Sequence, residues 1–258
     1  MDTDSRDHEL DAKADELAIS APDVSDLFAA SDVLGRQLGL RSMLSDASVA
    51  PEVREQVARR LFAGRIGPGA TDLVAAAVFG SQGSRALVAS IERQGVRAAL
   101  LASGALTTVQ DEVFRFARTL QANSDLHQTL TDPLIEVAAR QNLVDDLLGA
   151  KARPATIQLI KRAIQGSGRT LVKTLDHYVA IASEVRQHRV AKVTVAQPIT
   201  GTQQQQLRDQ LARIYGVAID VQVNVDPSVL GGARIELGDE LIDGTILNRL
   251  NDARRLIG

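Results

Sequence analysis

The chain has 258 residues, enough for one large domain or for two to three small ones with a buried core. Apolar residues make up 45% of it but aromatics only 3%, with no Trp and two Tyr; Leu, Val, Ile and Ala must build the core, and ligands that bind by ring stacking find little to stack on. There is no cysteine, which excludes disulfides, thiolate metal sites and cysteine nucleophiles, and a net charge of −3 argues against a nucleic-acid binder.

Residues 1–26 carry nine acidic and two basic side chains, so the rest of the chain has a mild positive excess. An acidic start is the opposite of a secretory signal, and no apolar run approaches the roughly 20 residues that cross a bilayer. The segment is expected to be a frayed or weakly helical acidic tail on a cytosolic protein.

From residue 27 the chain repeats itself. Leu27–Val78 aligns without gaps to Val113–Ile164 at an offset of 86 residues, pairing Leu34 with Leu120, Leu44 with Leu130, Asp46 with Asp132, Pro68 with Pro154 and Leu73 with Leu159. Arg85–Ile91 then faces Arg169–Leu175. A unit of this length exceeds any solenoid repeat and suits a small helical domain copied once. The spacing inside each copy is helical: Val113, Phe116, Ala117 and Leu120 form one stripe, and Leu171, Leu175, Tyr178, Ala182 and Val185 another. Pro51, Pro133 and Pro154 stand near the starts of apolar runs, and Asp132 is placed to cap the run after it. Each copy ends in a long helix, Leu87–Ser103 and Thr170–Arg189, and the first of these is placed to serve either bundle.

At Val190 the period changes. Val193 and Val195 alternate with Lys192 and Thr194 as in a half-buried strand, and Thr200 with Gln203 makes a capping box for a helix with Leu207, Leu211 and Ile214 on one face and Gly216 at its end. Ile219, Val221, Val223 and Val225 alternate with polar residues in a second strand. Asp226 and Pro227 break it, Gly231 and Gly232 permit a sharp return at positive φ, and Ile235 and Leu237 mark a third strand. Asp243 and Gly244 then start a last helix with Ile246, Leu250, Ala253 and Ile257 along one side. The fold expected is mainly α: an acidic tail (1–26), two helical-bundle repeats (27–104 and 105–189) and a small β-α-β-β-α domain (190–258).

The four histidines, His8, His127, His177 and His188, show no metal-ligand spacing, and GRIGPGATD (Gly64–Asp72) lacks the Gly-Lys-(Ser or Thr) ending of a phosphate loop. Asp226 and Asp243 read as turn former and helix cap. No catalytic, cofactor or metal residue is expected, and no cofactor.

VNVDPSVLGGARIELGDELIDGTILNRL (Val223–Leu250), with its Asp-Pro-Ser-x-Leu-Gly-Gly hairpin, Gly-Asp turn and Asp-Gly-Thr helix start, resembles the C-terminal signature of the F-type ATP synthase delta subunits, the oligomycin-sensitivity-conferring protein family. LTDP (Leu130–Pro133), DDLLGAKARPATIQLIK (Asp145–Lys161) and VTVAQPIT (Val193–Thr200) fall in that family's order. The resemblance covers about Gly95 to Gly258, so residues 27–90 are an additional helical copy, similar to the long delta subunits of actinobacteria. The first family helix departs from its Tyr-Ala-x-Ala-Leu pattern, reading Val96–Leu101 here. In some relatives a membrane-anchored segment precedes the delta sequence; none is present here, so the anchor is expected to be a separate protein.

The resemblance implies a non-catalytic stator at the cytoplasmic face of the cell membrane. Its bundle would grip the alpha subunits of the catalytic head and its C-terminal part the b-type stalk, with no nucleic acid and no direct transmembrane contact. The head contact is expected among the apolar residues Phe114, Phe116, Leu120, Ile157, Ile160 and Ile164, each of which also fits a simple core position. A generic helical adaptor is the alternative, and a nucleic-acid-binding bundle the third.

Overall fold

A computed structural model describes residues 3–243 except 18, 20, 82, 150, 167–169, 188–189, 216–218, 227–228, 230–232 and 238–239. Eleven helices come first: α1 (Thr3–Glu16), α2 (Ala21–Arg36), α3 (Leu38–Leu44), α4 (Pro51–Phe62), α5 (Pro68–Phe79), α6 (Ser84–Ala102), α7 (Leu106–Ala122), α8 (Ser124–Thr131), α9 (Val137–Leu148), α10 (Pro154–Gln165) and α11 (Leu171–Gln187). β1 (Val190–Val195), α12 (Gly201–Tyr215), β2 (Asp220–Val225), β3 (Ala233–Leu237) and β4 (Glu240–Asp243) follow. The chain divides into two compact units, Met1–Ser183 and Glu184–Gly258, so both helical copies lie in the first except for the last residues of α11.

The duplication extends to individual side chains. Under the 86-residue offset, α4 and α5 fall residue for residue on α9 and α10, and Pro68 and Pro154 each occupy the first turn, where a missing N–H is not needed. Asp46 and Asp132 each accept a hydrogen bond from the backbone N–H two residues on, at 2.9 and 2.8 Å. Asp132 is therefore a turn former and not the cap of α9, which starts five residues later with no side-chain cap. Arg54 donates to the carbonyl of Leu44, and Arg140 to that of Leu130, its counterpart. Asp26 of α2 accepts from the N–H of Gly67, and Glu112 of α7 from that of Arg153, so a carboxylate meets the N-terminus of α5 and of α10.

From Thr3 to Glu16 the acidic start, expected to be frayed or weakly helical, is a packed helix. α1 is a formed helix with Leu10 and Ala14 buried, it packs on α5 and α6, and α2 already begins at Ala21. Its acidic residues are tolerated because buried arginines of α6 receive them: Asp11 pairs with Arg93 at 2.5 Å and Asp15 with Arg97 at 2.7 Å. Under the same offset α1 corresponds to the second half of α6, which packs on α10 as α1 packs on α5. One helix thus closes the first bundle and opens the second. Every residue from Arg93 to Leu100 is buried in consequence.

In the second unit the sheet order is β2-β1-β3-β4. β1 and β2 run parallel with Val193 opposite Val223, whereas β1–β3 and β3–β4 are antiparallel. A parallel pair needs a crossover, and α12 supplies it. Thr200 and Gln203 form the expected capping box: the Thr200 N–H donates to the Gln203 side chain at 2.8 Å, and the Gln203 N–H to the Thr200 hydroxyl at 3.3 Å. Ala191, Val193, Val195, Leu211, Ile219, Val221 and Leu237 make the core. Ile214, expected on the inner face of α12, is instead 71% exposed in the last turn. β4 was not expected; Asp243 ends it, paired with Arg234, and the helix that Asp243 was expected to cap lies outside the described residues, as do Pro227, Gly231, Gly232 and Gly244.

Gly95 marks a close approach between α2 and α6. A Cβ there would stand 2.6 Å from Cε1 of Phe28, whose ring is held from another side by the Arg162 guanidinium 4.8 Å from its centroid. Gly95→Ala should cost about 2 kcal/mol through overpacking and lower the melting temperature by about 4–8 °C, measured by circular dichroism.

Candidate protein interface

α10, which carries half of the expected contact residues, is tied to its neighbours by one part-buried carboxylate. Glu92 of α6 accepts from the Arg162 guanidinium (Nε, 2.9 Å), from the Ser31 hydroxyl at 3.1 Å and from the Tyr178 hydroxyl at 2.8 Å. Arg162 also donates to Asp32 at 2.7 Å. Burial acts to lower the affinity of Arg162 for its proton, but the hydrogen bonds and charges of Glu92 and Asp32 prevail and raise its pKa above the ordinary arginine value. α2, α6, α10 and α11 therefore meet at one charged cluster, and the sequence offered no periodic signal for it. A polar residue inside a helical run looks the same whether it faces water or a buried partner.

Of the six apolar candidates, Phe116, Leu120, Ile160 and Ile164 are buried within the chain and serve as core. The helical stripe that singled them out is the stripe by which α7 and α10 pack inward. Phe114 and Ile157 do reach the surface. Phe114 is 46% exposed, with the Arg118 guanidinium 5.0 Å from its ring, and Arg118 bridges to Asp176 of α11 at 2.6 Å. Ile157 lines a groove of about 470 Å³ between α10 and α2, together with Pro154, Lys161, Phe28 and Asp32. Sequence reasoning passed over Leu134, which is 91% exposed in the turn before α9, and its neighbour Val137. No stripe marks a residue in a turn; only its exposure identifies it.

Asp226 continues the ladder beyond β2, its N–H donating to the Val195 carbonyl at 2.9 Å, and its own carbonyl accepts from Val229 at 3.1 Å, as a turn former should. Among the described residues, no group of three His, Asp or Glu side chains is arranged to hold a metal ion, and no helix is long and apolar enough to cross a membrane.

The sequence profile described as ATP synthase delta (OSCP) subunit matches residues 96–257, beginning in the middle of α6, where the second copy begins. The ATP synthase subunit delta of Streptomyces avermitilis is 41% identical over 95% of this chain and 92% of its own length. The chain belongs to the ATP synthase delta (OSCP) family. That of Cutibacterium acnes is 36% identical over 97% of both chains, so in such relatives the similarity also includes the first helical copy. Among solved structures, a chain of the Toxoplasma gondii mitochondrial ATP synthase hexamer overlaps 63% of this chain and 94% of its own at 15% identity, with a TM-score of 0.31, too low to bear on function. Subunits of this family are non-catalytic parts of the peripheral stalk of the F-type ATP synthase.

The α1 contact generates a test with a defined sign. Burial works to raise the Asp11 pKa, yet the Arg93 hydrogen bond, the Arg97 and Arg93 charges and the Gln94 hydrogen bond outweigh it and hold the group below 3.8. A carboxylate with a depressed pKa stabilises the fold fully above its unfolded value and loses that contribution as pH falls through the folded one. α1 should therefore loosen only below about pH 3.8, seen as faster backbone amide exchange across Thr3–Glu16 relative to other helices. Asp11→Asn should leave Arg93 and Arg97 undercompensated and cost about 2–3 kcal/mol at neutral pH, in urea melts.

Proposed function

We propose that the chain ties the alpha subunits of the catalytic head to the b-type stalk at the cytoplasmic face of the cell membrane, holding the head against rotor torque. The observation that carries this reading is similarity to ATP synthase delta subunits over nearly the whole chain rather than over one module. The division into a helical unit and a separate α/β unit supports it, because a connector must offer two independent attachment surfaces. The helical unit takes the head, through apolar side chains that the fold leaves outside: Phe114 on α7, Ile157 on α10 and Leu134 between them in sequence. The α/β unit takes the stalk. Apolar helix capture resists torque without any titrating group or nucleophile.

Three measurements test it. ATP synthase purified from the native membrane should contain this chain in one copy, and its absence there would overturn the reading. A chain ending at Arg189 should bind the N-terminal peptide of the alpha subunit but not the stalk. In the intact chain, Phe114→Ser combined with Ile157→Ser should weaken the peptide at least tenfold, about 1.4 kcal/mol, with an unchanged melting temperature. Loss of both partners in the shortened chain would contradict the division of labour.

A further inference from the structure

The two copies carry different surfaces on matching helices. In the first, Val33, Leu38, Met43 and Val53 are 40%, 62%, 49% and 51% exposed. The 86-residue offset puts Thr119, Ser124, Thr129 and Ala139 at those positions, the second of the two threonines half-buried and the other three residues exposed. The fold leaves these positions open in both copies, and only the first sets large apolar side chains there. The charges change with them: Arg36, Arg41 and Arg60 stand where the second copy has Ala122, His127 and Asp146.

α3 packs on both α2 and α4. Arg54 donates to the Leu44 carbonyl, which holds their sequence neighbours Val53 and Met43 on adjoining helix ends. α4 extends this surface: Val53, Gln56, Val57 and Arg60 recur at i, i+3, i+4 and i+7, and all four are exposed. Glu55 and Arg59 point elsewhere; they pair with each other at 2.9 Å and line an open groove of about 530 Å³ between α1 and α5. Arg59 is thus engaged within the chain, whereas Arg36, Arg41 and Arg60 have no carboxylate partner among the described residues. Scattered exposed apolar residues are ordinary, but an apolar strip flanked by unpaired guanidinium groups, in one copy and not in the other, is a surface shaped for something.

We infer that the α3/α4 face of the first copy receives an amphipathic helix of a partner protein, with apolar side chains over Met43, Val53 and Val57 and carboxylates facing Arg41 and Arg60. Charge selects the occupant, because guanidinium groups beside an apolar strip are matched by carboxylates beside another. A helix fits because Val53 and Val57, one turn apart, form a ridge against which a second helix packs. The acidic helix of this chain, α1, is already seated on Arg93 and Arg97, so the carboxylates come from another protein. The inference concerns the first copy alone, and loss of the attachments assigned to Phe114, Ile157 and the α/β unit would leave it standing.

The probe is a stapled helical peptide with leucine along one face and glutamate on both flanks, titrated against the full chain by fluorescence anisotropy beside the same peptide with lysine in place of glutamate. The glutamate peptide should saturate and bind about tenfold more tightly than the lysine peptide. Val53→Ala and Arg60→Asp install the residues of the second copy and should leave the melting temperature unaltered. Each should weaken the glutamate peptide about fivefold, whereas Phe79→Ser in the α1/α5 groove should not. Phosphatidylglycerol vesicles should leave the chain in the supernatant on sedimentation. Four results would overturn the inference: no saturable binding of the glutamate peptide, equal or tighter binding of the lysine peptide, sensitivity to Phe79→Ser in place of Arg60→Asp, or vesicle binding that Arg60→Asp abolishes, which would assign the face to lipid.

Discussion

α6 is the constraint on which the helical unit depends. It is the last helix of one bundle and the first of the next, so its second half is surrounded, and the charged side chains there find partners inside the protein. Glu92 takes Arg162, Ser31 and Tyr178; Arg93 and Gln94 take Asp11; Arg97 takes Asp15. These partners come from both copies. Separating the bundles would strand buried charges, which costs far more than an exposed ion pair returns. The two copies consequently behave as one body, an advantage for a subunit that carries load.

The same duplication explains why the copies are not interchangeable. They share the Asp turn, the arginine that reaches a carbonyl ten residues back and the carboxylate at the start of the helix after it. They differ where they meet other things. Arg162 draws α2 onto the second copy through Asp32 and the face of Phe28, while Ala76 at the matching position leaves the first copy open. A cation over a ring combined with an ion pair is specific in both geometry and sign, and the first copy has no such pair at the matching position.

The α/β unit rests on different physics. Its parallel β1–β2 pair is closed by α12 over one face, with Val193, Val195 and Val221 beneath, while Lys192, Gln222, Arg234 and Glu236 point to the exposed side. β2 lies at an edge, and there the alternation that marked it in the sequence relaxes: Val221 is buried, but Val225 is 43% exposed. Strand character therefore survived where burial did not, because pairing is a property of the backbone and burial depends on what lies opposite.

The sequence by itself determined the family, the mainly helical fold with its α/β end, the duplication, the capping box at Thr200 and the long helices at the end of each copy, because each rests on local periodicity or on residues close along the chain. The tertiary structure alone decided that α6 serves both bundles, that the acidic start is a packed helix, and that only Phe114 and Ile157 of the six apolar candidates reach the surface. A helical stripe reports that a face is apolar and says nothing of whether the chain or a partner covers it. Charge shows the same limit. Asp11 and Glu9 sit two residues apart in one acidic helix, and only the position of Arg93 and Arg97 eighty residues on makes the first a structural lock and leaves the second at the rim of an open groove.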